Sequence, residues 1–459
     1  MNTKLPLIIL LLVTSIRMTA QTDIVARQAN LVGKESIIRE WHNDFSVAFV
    51  IDQSSNGYFA LITPSLTIIK TAKIPSGDLI TDFRIHNDSV FFCGSRPIGS
   101  SPFPSGMPQG FVGCFDIQHL FSGFDLFNYY LFPPTVSLGD HYITVPQRMD
   151  LYQVGGTTHI ALVSKCELYP MMGIYHRTTL CDVACTVNGW LCNYYYNKDG
   201  IEYYTDIVTN PNYVVAVARD TLFKKCYIDV FFANGQFVSN PLLANYTFVL
   251  TDEPPIGDIR VDFIADDRFV LAYQYKNSSH VGSTIKIFHI DPYTSTILID
   301  GSYVTPHIPT PLYGGGWAAV QLMSDVATNS LFFLQHSQTP FATPNESLLC
   351  RYDLSALASG IVVESLLYTP GFLWQRADLL SGTHIRQIGR NSWNELIVME
   401  YLHTGAYSGN CMTPDTLLYG DSYPATSLEE RDVNSFNHPL SRTLEYPILQ
   451  EHPLEHICE

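Results

Sequence analysis

A carboxylate recurs in one local setting along this chain: Thr81-Asp82-Phe83, Met149-Asp150-Leu151, Thr205-Asp206-Ile207, Val261-Asp262-Phe263 and Ser324-Asp325-Val326. The Asp-to-Asp intervals are 68, 56, 56 and 63 residues. Brought around one channel, Asp82, Asp150, Asp206, Asp262 and Asp325 could hold a hard cation such as Ca²⁺, which takes oxygen ligands. Two of them could instead act as an acid/base pair on a glycosidic bond. A residue that returns once per unit more often serves the unit itself, by accepting backbone N–H groups, whereas catalytic sites break symmetry. The balance favours that structural role, and no catalytic or metal-ligating residue is assigned.

Aromatics form the second set. Tyr194-Tyr195-Tyr196, Tyr203-Tyr204, Tyr129-Tyr130 and Trp317 cluster locally, and Trp317 follows Gly314-Gly315-Gly316 as if on a loop. Exposed rings suit sugars or protein hot spots, and Trp317, Tyr195 and Tyr204 are the ligand-binding candidates. Asn197, Asp199 and Gly200 resemble half of a calcium loop, but Tyr195 occupies the first ligand position, so a hairpin turn is the preferred reading. Glu451, His452, Glu455, His456 and Cys458 could form a transition-metal cluster, weakened by Pro453 within it. GxSxG, HExxH, phosphate-loop and dinucleotide fingerprints are all missing from the sequence.

The elements that must position these residues are strands. An apolar strand begins at Val47, Val90, His159, Val214, Phe269, Leu331 and Leu396, at intervals of 43 to 69 residues averaging about 58. The Asp motifs precede five of these strands. Asn87-Asp88, Gly155-Gly156, Asn210-Pro211-Asn212 and Asp266-Asp267 supply turns between the two features. After the strand, Phe115-Asp116-Ile117, Ile228-Asp229-Val230 and Tyr352-Asp353-Leu354 recur. Charged residues are only 15% and aromatics 13%, and no long stretch has helical periodicity. The fold expected is an all-β propeller, about seven blades of about four antiparallel strands, over residues 21–426. The best-formed unit runs from Leu79 to Ile117. Its adjacent strands carry Cys93 and Cys114, the pair expected to form a disulfide among the ten cysteines.

At the N-terminus, Lys4, the apolar run Leu5–Val13 and a junction at Ala20-Gln21 read as a secretory signal peptide of residues 1–20. No segment is long enough to cross a membrane as a helix, which takes about 20 residues. The Ala-Gln junction resembles exported proteins of Bacteroidota, and Asp88-Ser89-Val90, Asp220-Thr221-Leu222 and Asp415-Thr416-Leu417 resemble their O-glycosylation acceptors. The chain as a whole thus resembles exported bacterial β-propellers, without the motifs of a particular family. Residues 427–459 read as a polar tail, either packed along the outside of the propeller or partly disordered.

A formal charge of −17 disfavours nucleic acid as a partner. The expectation is an exported protein, periplasmic, cell-surface or extracellular, that binds protein or carbohydrate at its loop face without catalysis. The alternative is a glycan-active hydrolase or lyase using the channel carboxylates.

Overall fold

The structure is a computed structural model. It describes residues 24–97, 108–120, 127–131, 135–137, 140–169, 175–184, 191–197, 202–220, 226–233, 246–250, 255, 257–276, 281–291 and 296–305. Beyond these it describes 316–338, 346–354, 362–370, 372–380, 384–391, 393–402, 413–415, 421–423, 428–430, 433–439, 441–445, 448–450 and 455–458. The signal-peptide segment 1–20, Asp199, Gly200, Glu451 and His452 lie outside these residues.

Apart from one helical turn at Ile117–Leu120, the described elements are strands. β1 (Ile24–Glu40), β2 (Ser46–Asp52), β3 (Gly57–Ile62) and β4 (Ile68–Lys73) pair in order, each antiparallel to the last. The same meander returns in β5 (Leu79–His86), β6 (Ser89–Pro97), β7 (Pro108–Asp116) and β8 (Phe127–Leu131). The next sheet adds a short leading strand, β9 (Thr135–Ser137), to β10 (Asp140–Val154), β11 (Thr157–Tyr169), β12 (Tyr175–Ala184) and β13 (Leu191–Asn197). Then follow β14 (Glu202–Thr209), β15 (Tyr213–Asp220), β16 (Cys226–Phe232) and β17 (Tyr246–Leu250). A further sheet holds β18 (Arg260–Ala265), β19 (Arg268–Lys276), β20 (Val281–Asp291) and β21 (Thr296–Thr305). Another holds β22 (Gly316–Asp325), β23 (Ser330–Gln338), β24 (Glu346–Asp353) and β25 (Val362–Pro370). The last meander is β26 (Phe372–Leu379), β27 (His384–Asn391) and β28 (Glu395–Leu402).

That last meander is completed from the other end of the chain. Ile24–Gln28 of β1 pairs with β28, while Leu31–Glu40 pairs with β2. The register shifts in between, and Glu35 at the change of course has a φ of 61°, a left-handed conformation that bends the strand. Repeated four-strand meanders of this kind are β-propeller architecture.

Hydrophobic burial explains why the meanders stack. Among the described residues the apolar clusters are shared by successive sheets and not enclosed within one. Phe59 of β3 packs its ring against Phe83, Phe92 and Phe115 of the next sheet at centroid distances of 5.6, 5.7 and 4.8 Å. Leu31, Ile38, Val50 and Ile388, Leu396, Val398 form another cluster, joining the start of the chain to β27 and β28. A sheet with two apolar faces is stable only when a neighbour covers each face.

Six of the apolar strands expected from sequence fall on second strands of their meanders: β2, β6, β11, β15, β19 and β23. The seventh is a correction. Leu396 lies in β28, a third strand, and the second strand is β27. It hides in the sequence because its residues include the buried Arg386 and Gln387: Arg386 donates to Glu400, to Asp44 O at 2.8 Å and to Ser46 Oγ at 2.6 Å, and Gln387 Nε2 to the Tyr401 hydroxyl at 3.2 Å.

The expected Cys93–Cys114 disulfide is also corrected: both are thiols. Cys93 lies opposite Val112, and Cys114 opposite Phe91. The two cysteines are therefore diagonal neighbours, with Cβ atoms roughly 7 Å apart where a disulfide needs about 3.8 Å.

The C-terminal residues supply an outer strap. β29 (Thr413–Asp415), β30 (Asp421–Tyr423), β31 (Leu428–Glu430) and β32 (Val433–Pro439) pair with β25, β21, β17 and β13 in turn. β33 (Ser441–Glu445), β34 (Ile448–Gln450) and β35 (Glu455–Cys458) pair with β8, β4 and β1. The chain thus returns past the meanders in reverse order, adding one antiparallel edge strand to each.

Candidate functional site

The first strands β1, β5, β10, β14, β18, β22 and β26 surround a common space. β-bulges prepare them for it. The pairing skips one residue between Ile80 and Asp82, Pro146 and Arg148, Tyr204 and Asp206, Ala319 and Gln321, and Trp374 and Arg376. The residues left over are Thr81, Gln147, Thr205, Val320 and Gln375, and all five line one cavity of about 660 Å³. A bulge re-aims a side chain out of the ladder. Glycines opposite two of these bulges permit the close approach: a Cβ on Gly94 would lie 2.1 Å from Leu79 O, and one on Gly389 2.2 Å from Leu373 O.

Beside this cavity the strands carry a ring of charge around a second space of about 260 Å³. The first residue after each bulge gives Asp82, Arg148, Asp206, Gln321 and Arg376 around the ring, and Arg260 holds the matching register in β18. Two residues further along, Arg84, Asp150, Asp262 and Asp378 point the same way, because side chains i and i+2 share a strand face.

These carboxylates tie each sheet to the next. Asp82, fully buried, accepts from Met149 N at 3.2 Å and from Arg39 Nη2 and Arg84 Nη1, both at 3.1 Å. Asp150 accepts from Thr209 N at 2.7 Å and Arg84 Nε at 3.0 Å. Asp206 accepts from Val261 N at 3.2 Å, and Asp262 from Ser324 N at 2.6 Å. Gln321 Oε1 takes the role opposite Ala377 N at 2.9 Å, and Asp378 accepts from Glu40 N, linking the last meander to the first.

Asp325 stands apart from the other four aspartates singled out in the sequence. It caps its own turn, accepting from Ala327 N at 3.0 Å and Thr328 Oγ1 at 2.6 Å, away from the ring. The ring position in the last meander belongs to Asp378 in Ala377-Asp378-Leu379, which the sequence reading passed over. Spacing concealed a further distinction: Asp82 and Asp206 share one register position, while Asp150 and Asp262 lie two residues beyond it.

The charges respond to this packing. Burial pushes the Asp82 carboxyl up, but Arg84, Arg39 and Arg148 outweigh it and leave the group below its ordinary value. Burial raises Asp206 and Asp378 against the pull of nearby arginines. Asp262, desolvated and facing Asp150 without an arginine of its own, is pushed up to about 7. Burial and neighbouring Arg260 lower Arg148 to about 10.

At the larger cavity, Tyr204 is a wall residue, buried, with its hydroxyl donating to Asp229. Tyr195 lies on β13 opposite Leu180, and Trp317 on β22 opposite Ser337, beside the wall residue Ala318. Glu455, His456 and Cys458 lie on β35 against β1. No group of potential metal ligands occurs among the described residues. The arginines are what the sequence reading missed. Their signal was present, however: Arg148-Met149-Asp150, Arg260-Val261-Asp262 and Arg376-Ala377-Asp378 repeat Arg-X-Asp at intervals of 112 and 116 residues, about every second unit.

Neither a family model nor a curated protein sequence matches this chain. Among solved structures it is similar to a periplasmic gluconolactonase of Pseudomonas aeruginosa, with TM-score 0.39 and 10% identity over 90% of this chain and 98% of that one. It is also similar to Drosophila Semaphorin 2a, with TM-score 0.42 and 9% identity over 82% of this chain and 74% of that one.

Proposed function

We propose that this chain is an exported seven-bladed propeller whose role is binding, with its ligand site in the cavity lined by the bulge residues. Dividing the nine-stranded sheet at β1 makes seven blades of the six sheets, and Asp378 to Glu40 N is the link that closes the ring. The single observation that carries the binding site is the convergence of five bulged side chains on one cavity of about 660 Å³. That volume is in the usual range for small-ligand sites, about 300–1,000 Å³. Tyr204 lies in its wall and Trp317 precedes the wall residue Ala318, while Tyr195 sits within β13 between β12 and β32.

The glycan hydrolase or lyase reading draws on the ring aspartates. All five, Asp82, Asp150, Asp206, Asp262 and Asp378, accept backbone N–H groups from the next sheet, an architectural duty that leaves them poorly placed for proton transfer to a substrate.

The test is a glycan and protein-partner array probed with the full chain and with Ala318→Trp, which fills the cavity from its wall. Ligands of the wild type should be lost in the variant. Equal signals from both would remove the cavity from consideration, and Trp317→Ala would then show whether the loop side binds. New reducing ends released from a bound glycan would favour the enzyme.

A further inference from the structure

The geometry points to an acidic saccharide, a polyhydroxylated ligand carrying carboxylate or sulfate, as the chemical class this cavity takes, with Arg148 as its principal anion contact. The inference rests on the cavity being the binding site and goes further by assigning its chemistry.

The wall carries four guanidinium groups, Arg148, Arg219, Arg260 and Arg376, against the two carboxylates Glu35 and Asp258. This cationic surface occurs in a chain of net charge −17, so it marks a local reversal of sign. Asp258 is already shared, lying 3.0 Å from Arg260 and 3.9 Å from Arg219. Arg260 also donates to Thr205 O at 2.7 Å, while its Nε is buried without a partner. Arg376 donates Nη1 to Gln375 O at 2.7 Å, and its Nε is likewise buried without a partner.

Arg148 differs from these. It makes no hydrogen bond or ion pair among the described residues, although it lines both cavities. The ring carboxylates beside it, Asp82 and Asp206, are occupied by Arg39, Arg84 and Met149 N and by Val261 N respectively. Burial and then Arg260 lower its pKa, and together they outweigh the pull of Asp82, Asp206 and Asp258. His336 in the same wall is pushed down to about 4 by burial and by Arg260 and Arg390, so it is neutral at pH 7 and leaves the positive potential to the arginines.

A guanidinium binds carboxylate or sulfate through paired N–H donors, and more strongly where water is limited. Around it, the Gln375 amide and the Gln147 Oε1 offer uncharged polar contacts suited to sugar hydroxyls, while the Thr81 and Thr205 hydroxyls already donate to Pro146 O at 2.8 Å and Ile259 O at 2.9 Å, and Gln147 Nε2 to Val145 O at 3.2 Å.

Calorimetric titration of the full chain with trigalacturonate, a sulfated galacto-oligosaccharide and neutral galactotriose tests this. At least one acidic probe should bind, weakening at least tenfold in Arg148→Ala and several-fold in Arg376→Gln, with unchanged circular dichroism and melting temperature in Arg148→Ala. Which acidic probe binds more tightly identifies carboxylate or sulfate as the anion. Galactotriose binding as tightly as the acids, or acid affinity unchanged by Arg148→Ala, overturns the anionic class. So does the absence of acidic binding at millimolar concentration. Ala318→Trp separates the two levels of the argument: acid binding that survives it places the site elsewhere and defeats the cavity reading, while neutral-sugar binding lost in it leaves the cavity standing and defeats only the charge assignment.

Discussion

The inner ring and the outer strap hold the same sheets by opposite means. In the ring, each sheet is tied to the next through a named side chain: Asp82 to Met149 N, Asp206 to Val261 N, Asp378 to Glu40 N. Along the strap, the ties are backbone ladders, three residue pairs each for β29, β30, β31 and β34. A buried charge demands partners, so it restricts which residue can stand at each position. A ladder hydrogen bond demands only strand geometry. The ring is thus specified by side-chain chemistry, and the strap by where the chain passes.

Removing residues 413–459 is the largest perturbation of this comparison. The outer strands β4, β8, β13, β17, β21 and β25 would become open edges, which recruit other strands. Concentration-dependent association is expected in sedimentation velocity; a monodisperse monomer would show that the strap is dispensable as an edge cover.

Next in size is Asp82→Ala, which takes the bonded carboxylate from the buried Arg39 and leaves Arg84 with Asp150 alone. Breaking a buried pair from one side costs about 3–5 kcal/mol, and urea denaturation would read it. A loss no larger than that of an exposed ion pair, under about 1 kcal/mol, would contradict the ring's role.

The effect at Asp262 depends on pH, and its sign follows from the direction of its shift. The carboxyl ionises about three units higher when folded, near 7, than its ordinary value of 3.8. Folding therefore favours its protonated form: the contribution is fully present below pH 3.8 and is lost as pH rises through about 7. Asp262→Asn removes the titration, so its melting temperature relative to wild type should rise between pH 4 and pH 8. A constant difference across that range would show that Asp262 is not shifted.

The smallest effect belongs to Asp325→Ala. Its carboxylate caps a surface turn, so the change should stay within about 0.5 kcal/mol. A loss comparable to that of Asp82→Ala would erase the distinction between ring and turn.

Much of the architecture was legible along the chain. Asn87-Asp88 reads as a tight turn, and Asn87 indeed adopts a φ of 54° between β5 and β6. Val90-Phe91-Phe92-Cys93 reads as a buried strand, and all four residues are buried. Legibility failed where polar residues were satisfied across sheets. β27 looked unlike a second strand because Arg386 finds Ser46, 340 residues away, as its partner. The aspartate repeat suggested one ring of five, yet the ring takes Asp378 and excludes Asp325, since a two-residue shift along a strand leaves the face unchanged and the level different.

By itself, the sequence determined the all-β class, the recurrence of the units and most of their second strands, because alternation of apolar residues and turn chemistry act between near neighbours. Tertiary structure alone decided which carboxylates enter the ring, that Cys93 and Cys114 are diagonal, that the C-terminal residues become edge strands, and that Arg148 faces a cavity without a partner. Those outcomes depend on register and on contacts between sheets tens to hundreds of residues apart, where the energy of a buried charge is set by what packs against it.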